Sequence, residues 1–138
     1  WFCLYNNDKW LYGRYGSNFV TAIQNKARRD GSLKVVSDQT GCPTCTEELM
    51  RYILLLIKSG RYGTYHVSGK GCCTKYEFAC HIVSQAGIEA QVSHCLTSDY
   101  PSPAARPTYS VLDISKAEKV TGLSSPDWKT VFDNYYRI

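Results

Sequence analysis

The chain has 138 residues, of which 43% are hydrophobic and 20% charged, with a net charge of +4. This balance argues against disorder, and the length suffices for one core, so we expect residues 1–138 to form a single domain. The longest apolar run, residues 52–57, is too short to cross a bilayer, and the basic residues show no clustering typical of nucleic-acid binding. We therefore expect a cytoplasmic protein with no membrane or nucleic-acid partner.

The first predicted elements are a strand, a helix and a second strand. Residues 1–5 form a short apolar start compatible with a strand, and residues 33–37 have the composition of another. Between them, Ser17 is predicted to cap a helix that runs to about Arg29 and ends at Gly31. The apolar face of this helix consists of Phe19, Val20, Ile23 and Ala27.

A second helix is predicted over residues 46–59, with Gly60 ending it. Residues 63–67 then alternate like a strand. The apolar stripe of this second helix is predicted to consist of Leu49, Ile53, Leu56 and Ile57.

A third helix is predicted to begin at a capping box formed by Thr74 and Glu77 and to end at Gly87. Residues 91–96 are a strand candidate, and residues 98–107 form a proline-rich loop.

Two more helices are predicted near the end of the sequence. Asp113 or Ser115 caps the first, which is short, and Pro126 at a first helical position opens the last. Because strands and helices alternate and no linker divides the chain, the expected fold class is α/β.

The sequence has no glycine-rich turn of the kind that brings backbone against the pyrophosphate of a dinucleotide. Residues 13–16 have the wrong glycine spacing, and residues 68–71 lack the upstream glycine of a phosphate loop. We therefore expect no cofactor to bind to this chain alone.

Tyr5 and Lys9 have the four-residue spacing of the tyrosine and lysine used by short-chain reductases. On a helix that spacing would let the ammonium lower the pKa of the phenol. The three intervening residues, Asn6, Asn7 and Asp8, favour a turn instead. We interpret the match as chance and assign no catalytic residue.

Seven cysteines, an odd number, argue against a disulfide scaffold, and most are expected to be buried, reduced thiols. Cys42 and Cys45 form a Cys-x-x-Cys, which leaves redox activity open because Cys45 lies just before a predicted helix. A zinc site would need further ligands, for which the spacing matches no known finger or ribbon, so no metal is expected. The candidate ligands are Cys72, Cys73, Cys80 and His81.

Several short motifs together resemble one family. Residues 10–19 read Trp-Leu-Tyr-Gly-Arg-Tyr-Gly-Ser-Asn-Phe, and residues 38–44 read Asp-Gln-Thr-Gly-Cys-Pro-Thr. Residues 62–69, 106–113 and 126–128 add further matches in the same order. From about Trp10 to Trp128, the chain resembles the C-terminal half of dTDP-4-dehydrorhamnose reductase, an extended short-chain dehydrogenase.

The resemblance implies a function for the intact family enzyme. Such enzymes use NADPH or NADH to reduce dTDP-4-dehydro-6-deoxy-L-mannose to dTDP-L-rhamnose. An N-terminal Rossmann half holds the cofactor and the catalytic groups, and the C-terminal lobe closes over the dTDP-sugar. This chain would supply that lobe and be inactive alone, since the glycine-rich loop and catalytic pair are absent.

The resemblance also implies a set of substrate-binding residues. Trp10 matches a tryptophan beside the sugar, and Arg106 is the candidate for a contact to the diphosphate. Cofactor-binding residues stay unknown, because they would lie in the missing half. The implied substrate-binding residues are Trp10, Asn18, Phe19, Gln39, Thr44 and Arg106.

The start of the chain departs from the family. Residues 7–9 read Asn-Asp-Lys where relatives have a strand ending in Arg-Thr-Ser, and the first residue is Trp1 instead of methionine, as in a fragment. A non-catalytic binding module or a truncated remnant of the lobe therefore stays open as the alternative. Without the other half, an exposed strand edge and apolar surface would favour a homo-oligomer.

Overall fold

The computed structural model describes residues 10–100 and 106–137, together with the backbone of residues 2–4. The Tyr5 and Lys9 pair and part of the predicted 98–107 loop lie outside these residues. The described parts form an α/β structure, which confirms the predicted fold class. Within them, no helix is long and apolar enough to cross a membrane.

The described residues contain eight strands and five helices. The strands are β1 (Phe2–Leu4), β2 (Leu11–Tyr12), β3 (Ser32–Val36), β4 (Thr40–Gly41), β5 (Thr44–Cys45), β6 (Gly63–Tyr65), β7 (Cys73–Thr74) and β8 (Gln91–Cys95). The helices are α1 (Phe19–Asp30), α2 (Thr46–Ser59), α3 (Lys75–Gln85), α4 (Ser115–Thr121) and α5 (Trp128–Arg137). A turn of 3₁₀ helix at Thr97–Asp99 follows β8.

The strands pair two by two within the described residues. β1–β6, β2–β5 and β3–β8 are parallel, and β4–β7 is antiparallel. The longest ladder, β3–β8, joins five residues of each strand. Parallel pairing requires crossover connections, and helices supply them, as in other α/β folds.

The cap of α1 is Asn18, so the prediction that Ser17 caps this helix is wrong. Asn18 has extended backbone angles, and its side-chain oxygen accepts a hydrogen bond of 3.1 Å from the Thr21 amide. The backbone amide of Asn18 donates in return to the Thr21 hydroxyl at 3.1 Å, and this second bond completes a capping box. Gly31, at a φ of 64°, ends the helix as predicted.

Helix α2 has the predicted bounds, but Ile57 does not belong to its buried stripe. Ile57 is 56% exposed, whereas Leu56 is fully buried and Tyr52 is 1% exposed. Consecutive side chains are about 100° apart around a helix, so the side chain that follows a central buried residue points away from the buried face. Ile57 instead shares a helix face with Met50 and Leu54, which are also more than half exposed.

The last helix begins two residues after Pro126, so the prediction that Pro126 occupies a first helical position is wrong. The Asp127 carbonyl accepts the first helical hydrogen bond, from the Val131 amide at 3.1 Å, and its carboxylate accepts from the Lys129 amide at 3.0 Å. Asp127 is therefore the N-cap of α5.

The N-cap of the short helix α4 is Ile114, so the prediction that Asp113 or Ser115 caps this helix is wrong, because Ile114 lies between them and its carbonyl accepts the first helical hydrogen bond, from the Glu118 amide. The Asp113 carboxylate accepts a hydrogen bond of 2.9 Å from the Ser115 amide, whereas Ser115 is itself the first helical residue. This bond lowers the pKa of the Asp113 carboxyl.

The larger of two hydrophobic clusters is centred on aromatic rings. Phe78 on α3 and Phe132 on α5 are fully buried, with their ring centres 5.5 Å apart and nearly perpendicular. Tyr12 on β2 packs on both, at 5.7 Å and 5.5 Å. Edge-to-face contacts of this kind add to the free energy gained by burying the rings. The second cluster, between α2, β6 and α4, contains Tyr52, Leu56, Tyr65, Val67 and Ala117.

We predict that Phe132→Ala lowers the free energy of unfolding by about 3–5 kcal/mol, because a large buried ring is replaced by a cavity. Tyr15→Ala, at a position 93% exposed, is the matched control and should change it by less than about 0.5 kcal/mol. Urea unfolding monitored by circular dichroism measures both. Equal effects of the two substitutions would contradict this description of the core.

Candidate functional site

Trp10 lies at the junction of β2, β4 and β5. Its carbonyl accepts a hydrogen bond of 2.8 Å from the Thr44 amide, and its indole lies directly against the backbone of Gly41. A side chain at position 41 would collide with the indole ring. The ring also stacks on Phe78 at 6.5 Å and keeps only 6% of its surface exposed. Trp10 is therefore fixed in place from three sides.

Asn18 and Phe19 follow at the start of α1. Besides capping the helix, Asn18 donates from its side-chain nitrogen to the Gly13 carbonyl at 2.9 Å and so closes the loop after β2. The Phe19 ring stacks on Phe78 at 5.7 Å with an interplanar angle of 20°. Phe19 and Trp10 thus share Phe78 as a common support.

Lys75 joins this group, although no sequence motif predicted it there. Its ammonium lies 5.7 Å from the Trp10 ring centre and 5.9 Å from the Phe19 ring centre, and the residue is 7% exposed. Cation–π attraction offsets part of the cost of burying the charge. The capping box places Lys75 at the first position of α3 but does not indicate which way its side chain points.

Gln39 is buried at the end of the loop before β4. The side-chain nitrogen of Gln39 donates to the Thr97 hydroxyl at 2.9 Å. The backbone carbonyl of Gln39 accepts from the backbone amide of Lys75 at 3.1 Å. Thr97 in turn donates its hydroxyl and its amide to the carboxylate of Asp38, at 2.7 Å and 3.0 Å. These bonds hold the pKa of the Asp38 carboxyl below its usual range. The loop is thereby fastened to the end of β8.

Thr44 holds a second contact between loops. Its hydroxyl donates to the Cys42 carbonyl at 3.0 Å and accepts from the Gly69 amide at 3.1 Å, and the residue is 1% exposed. Gly69 lies so close to the Pro43 carbonyl that a side chain there would not fit. Thr44 therefore joins the loop after β4 to the loop before β7.

Arg106 lies on a segment that runs beside β4. Two residues after it, the Thr108 carbonyl accepts from the Thr40 amide at 2.7 Å, and the Ser110 amide donates to the Thr40 carbonyl at 2.9 Å. The Arg106 side chain is exposed, and no ion pair joins it to any residue in 10–100 or 106–137.

Contacts among the described residues relate five of the six candidate residues, whereas Arg106 is related to them only through the backbone of its segment. Trp10 and Phe19 share the Phe78 support, Thr44 is hydrogen-bonded to Trp10, and Gln39 is hydrogen-bonded to Lys75. Asn18 adjoins Phe19, and Arg106 is reached through the segment paired with β4. Three of the six keep accessible surface, namely Asn18, Phe19 and Arg106, and three are buried, namely Trp10, Gln39 and Thr44.

The N-termini of α1 and α3 are occupied by side-chain caps. The Asn18 side chain accepts from the Thr21 amide of α1, and the Thr74 hydroxyl accepts from the Glu77 amide of α3, both at 3.1 Å. The first turn of α2 carries two glutamates, which would repel a diphosphate.

The Cys42-x-x-Cys45 pair does not have the environment of a reactive dithiol. Both residues are buried, at 5% and 3% exposure, and burial raises the pKa of each thiol. Amides of the first turn of α2 reach Cys45 but do not outweigh its burial. Among the described residues no three of the types His, Cys, Asp and Glu are grouped to hold a metal ion.

Comparisons with known proteins give one consistent result. The family model for the RmlD substrate binding domain matches residues 8–137. The spore coat polysaccharide biosynthesis protein SpsK of Bacillus subtilis is 38% identical over 126 residues, which are 91% of this chain and 44% of SpsK.

Two solved structures agree with the family match. A dTDP-4-dehydrorhamnose reductase from Clostridium acetobutylicum is 41% identical with a TM-score of 0.88, over 93% of this chain and 45% of that one. The dTDP-4-dehydrorhamnose reductase from Bacillus anthracis, in complex with NADP, is 36% identical with a TM-score of 0.85 over the same shares. The chain spans less than half the length of these relatives.

The α/β order and the parallel strand pairs are those of part of an extended short-chain dehydrogenase. With residues 8–137 matched, the chain belongs to the RmlD substrate-binding-domain family. This confirms the resemblance seen in the motifs around Trp10, Gln39 and Arg106.

We predict that Asp38→Asn makes stability less dependent on acid pH. The pKa of Asp38 is lower in the folded than in the unfolded protein, so the ionised carboxylate stabilises the fold above about pH 4 and loses this effect as the pH falls through its folded pKa. The variant should be less stable than the parent at pH 7, and the difference should shrink at pH 3.

Urea midpoints at pH 7 and pH 3 measure this difference. Glu89→Gln removes an exposed carboxylate between α3 and β8 and is the control. If Asp38→Asn and Glu89→Gln respond alike to pH, Asp38 does not hold the loop as described.

Proposed function

We propose that residues 1–138 act as one substrate-binding domain of an NAD(P)H-dependent nucleotide-sugar reductase. In this proposal the domain holds dTDP-4-dehydro-6-deoxy-L-mannose, and a dinucleotide-binding half supplies the cofactor and the catalytic groups that reduce it to dTDP-L-rhamnose. The match of residues 8–137 to the RmlD substrate binding domain carries the proposal. The names of the reductases from Clostridium acetobutylicum and Bacillus anthracis support the choice of substrate, and the NADP bound in the latter supports the cofactor class.

Arg106 is the proposed contact to the diphosphate. An exposed guanidinium with no ion pair in the described residues can form two parallel hydrogen bonds to phosphate oxygens. The segment that carries it is fixed by two backbone hydrogen bonds to Thr40. Little conformational entropy of the backbone would then be lost when the anion binds.

The other five residues divide by exposure into two proposed roles. Asn18 and Phe19 keep accessible surface and could contact the sugar or base directly. Trp10, Gln39 and Thr44 are at most 6% exposed, so their proposed contribution is mainly to fix the shape of the loops around the ligand. Rigid loops of this kind hold a binding site close to its productive geometry.

The proposed partners are a Rossmann half and a second copy of the protein. β1 and β6 form only a two-stranded parallel pair in the described residues, and parallel sheets are usually larger and covered on both faces. Strands from a dinucleotide-binding half would extend this pair. The exposed Met50, Leu54 and Ile57 on α2 support self-association where that surface stays uncovered.

A fusion protein tests the proposed function. The corresponding part of the Clostridium acetobutylicum reductase is replaced by this chain, and NADPH oxidation is followed with dTDP-4-dehydro-6-deoxy-L-mannose. We predict turnover by the fusion and none above the cofactor-only rate by this chain alone. A fusion that folds and binds NADPH without turnover would favour a non-catalytic binding module, and turnover by the chain alone would refute the need for a second half.

Arg106→Ala in the same fusion tests the proposed diphosphate contact. Loss of a charge-assisted hydrogen bond should raise KM for the dTDP-sugar roughly tenfold or more, with a smaller effect on kcat. Arg28→Ala, an exposed arginine in the last turn of α1, is the matched control and should leave KM unchanged. An unchanged KM in the Arg106 variant would remove Arg106 from the site.

A further inference from the structure

The β4–β7 ladder ends at the pair Gly41–Cys73, and Cys42 and Cys72 are the next residues on its two strands. The antiparallel register pairs Thr40 with Thr74 and Gly41 with Cys73. The next step of the same register places Cys42 opposite Cys72. Both are free thiols in the structure.

The hydrogen-bonding pattern identifies the kind of position that this pair occupies. The Lys75 amide donates to the Gln39 carbonyl at 3.1 Å, so Gln39 and Lys75 form a hydrogen-bonded pair. Hydrogen-bonded and non-hydrogen-bonded pairs alternate along an antiparallel ladder. Cys42 and Cys72 are three steps beyond Gln39 and Lys75, so the same register would make them a non-hydrogen-bonded pair. Opposite Cα atoms there are about 4.5 Å apart with side chains on the same face, within the range that a disulfide spans.

Contacts on both sides hold the two segments together. The Gly69 amide is bonded to the Thr44 hydroxyl, and Gly69 lies against the Pro43 carbonyl. The Ser68 hydroxyl donates to the Gly69 carbonyl at 3.1 Å, which stiffens the loop that lies against the Cys42 segment. Cys72 therefore belongs to a loop that is fastened to the Cys42 segment before and after it.

The other nearby thiols differ from Cys72 in burial or strand face. Cys73 shares the face of Gly41 and is buried in the aromatic cluster with Trp10. Cys45 is buried at the start of α2. Cys72 is exposed and lines an open cleft of about 590 Å³, which Cys73 and Cys80 also line. A small reagent can reach Cys72 from this cleft.

We propose that Cys72 and Cys42 form a thiol-modification site, in which Cys72 reacts with a low-molecular-weight disulfide and Cys42 closes a cross-strand disulfide. The Cys72 thiolate attacks one sulfur of the reagent, whose S–S bond breaks and releases the first thiol. The Cys42 sulfur then attacks the Cys72 sulfur of the mixed disulfide and releases the second thiol. The protein loses two electrons and two protons, and the reagent is reduced to two thiols.

The cross-link would act on the loops that hold the candidate residues. It would tie β4 to β7 beside Gln39 and Thr44, where the chain already relies on the Thr44–Gly69 hydrogen bond. A covalent bond there would restrict motion of the 38–44 loop. The proposal does not depend on the reductase function, because it concerns only thiols of this chain.

Peptide mapping after treatment with glutathione disulfide tests the proposal. The protein is blocked at low pH with N-ethylmaleimide and digested with trypsin, which separates residues 35–51 from residues 71–75. We predict one cross-linked pair of these peptides, and fragmentation should assign the bond to Cys42 and Cys72. A stable glutathione adduct on Cys72 without the cross-link would overturn the proposal, as would a bond to Cys45, Cys73 or Cys80.

Matched variants distinguish this pair from its neighbours. Cys72→Ser should abolish the cross-link, whereas Cys80→Ser, in the same cleft, should leave it intact. Cys42→Ala should stop the reaction at the glutathione adduct, whereas Cys45→Ala should not. Because Cys72 is exposed, its variant decides the question even if the buried Cys42 variant does not fold; a cross-link to Cys42 that persists without Cys72 would refute the assignment.

Discussion

The close approach of the Trp10 indole to the backbone of Gly41 is the constraint on which the candidate site depends. Only a residue without a side chain lets the ring occupy this place, where it also stacks on Phe78. The backbone of Trp10 binds Thr44 at the same time, so one residue sets the spacing of β2, β4 and β5. A substitution at Gly41 would therefore displace the ring, its aromatic support and both loops together.

This constraint explains a division of roles within the proposed enzyme. Side chains cap the N-termini of α1, α3 and α5, and the first turn of α2 carries two glutamates, while the segment beside β4 carries the exposed Arg106. In the proposed enzyme this domain would hold the nucleotide sugar, and another part of the protein would carry out hydride transfer. Membership in the RmlD substrate-binding-domain family accords with this division.

Sequence patterns predicted the features that depend on interactions between residues close together along the chain. The bounds of α2, the capping box at Thr74 and the end of α1 at Gly31 follow from local hydrogen bonding and backbone freedom, and the structure confirms them. The predictions for Ser17, Pro126 and Ile57 were wrong because adjacent residues compete for the same role, and tertiary packing decides between them. Likewise, the burial of Lys75 over Trp10 depends on where α3 meets α1, which no spacing in the sequence encodes.

The central claim is that this chain recognises the nucleotide sugar and not the nicotinamide cofactor. The most direct test is a nuclear magnetic resonance titration of the ¹⁵N-labelled chain with dTDP-L-rhamnose and, separately, with NADPH. We predict shifts of amide signals around Phe19, Gln39 and Arg106 with the sugar nucleotide and none with NADPH. Shifts with NADPH but none with dTDP-L-rhamnose would contradict the claim.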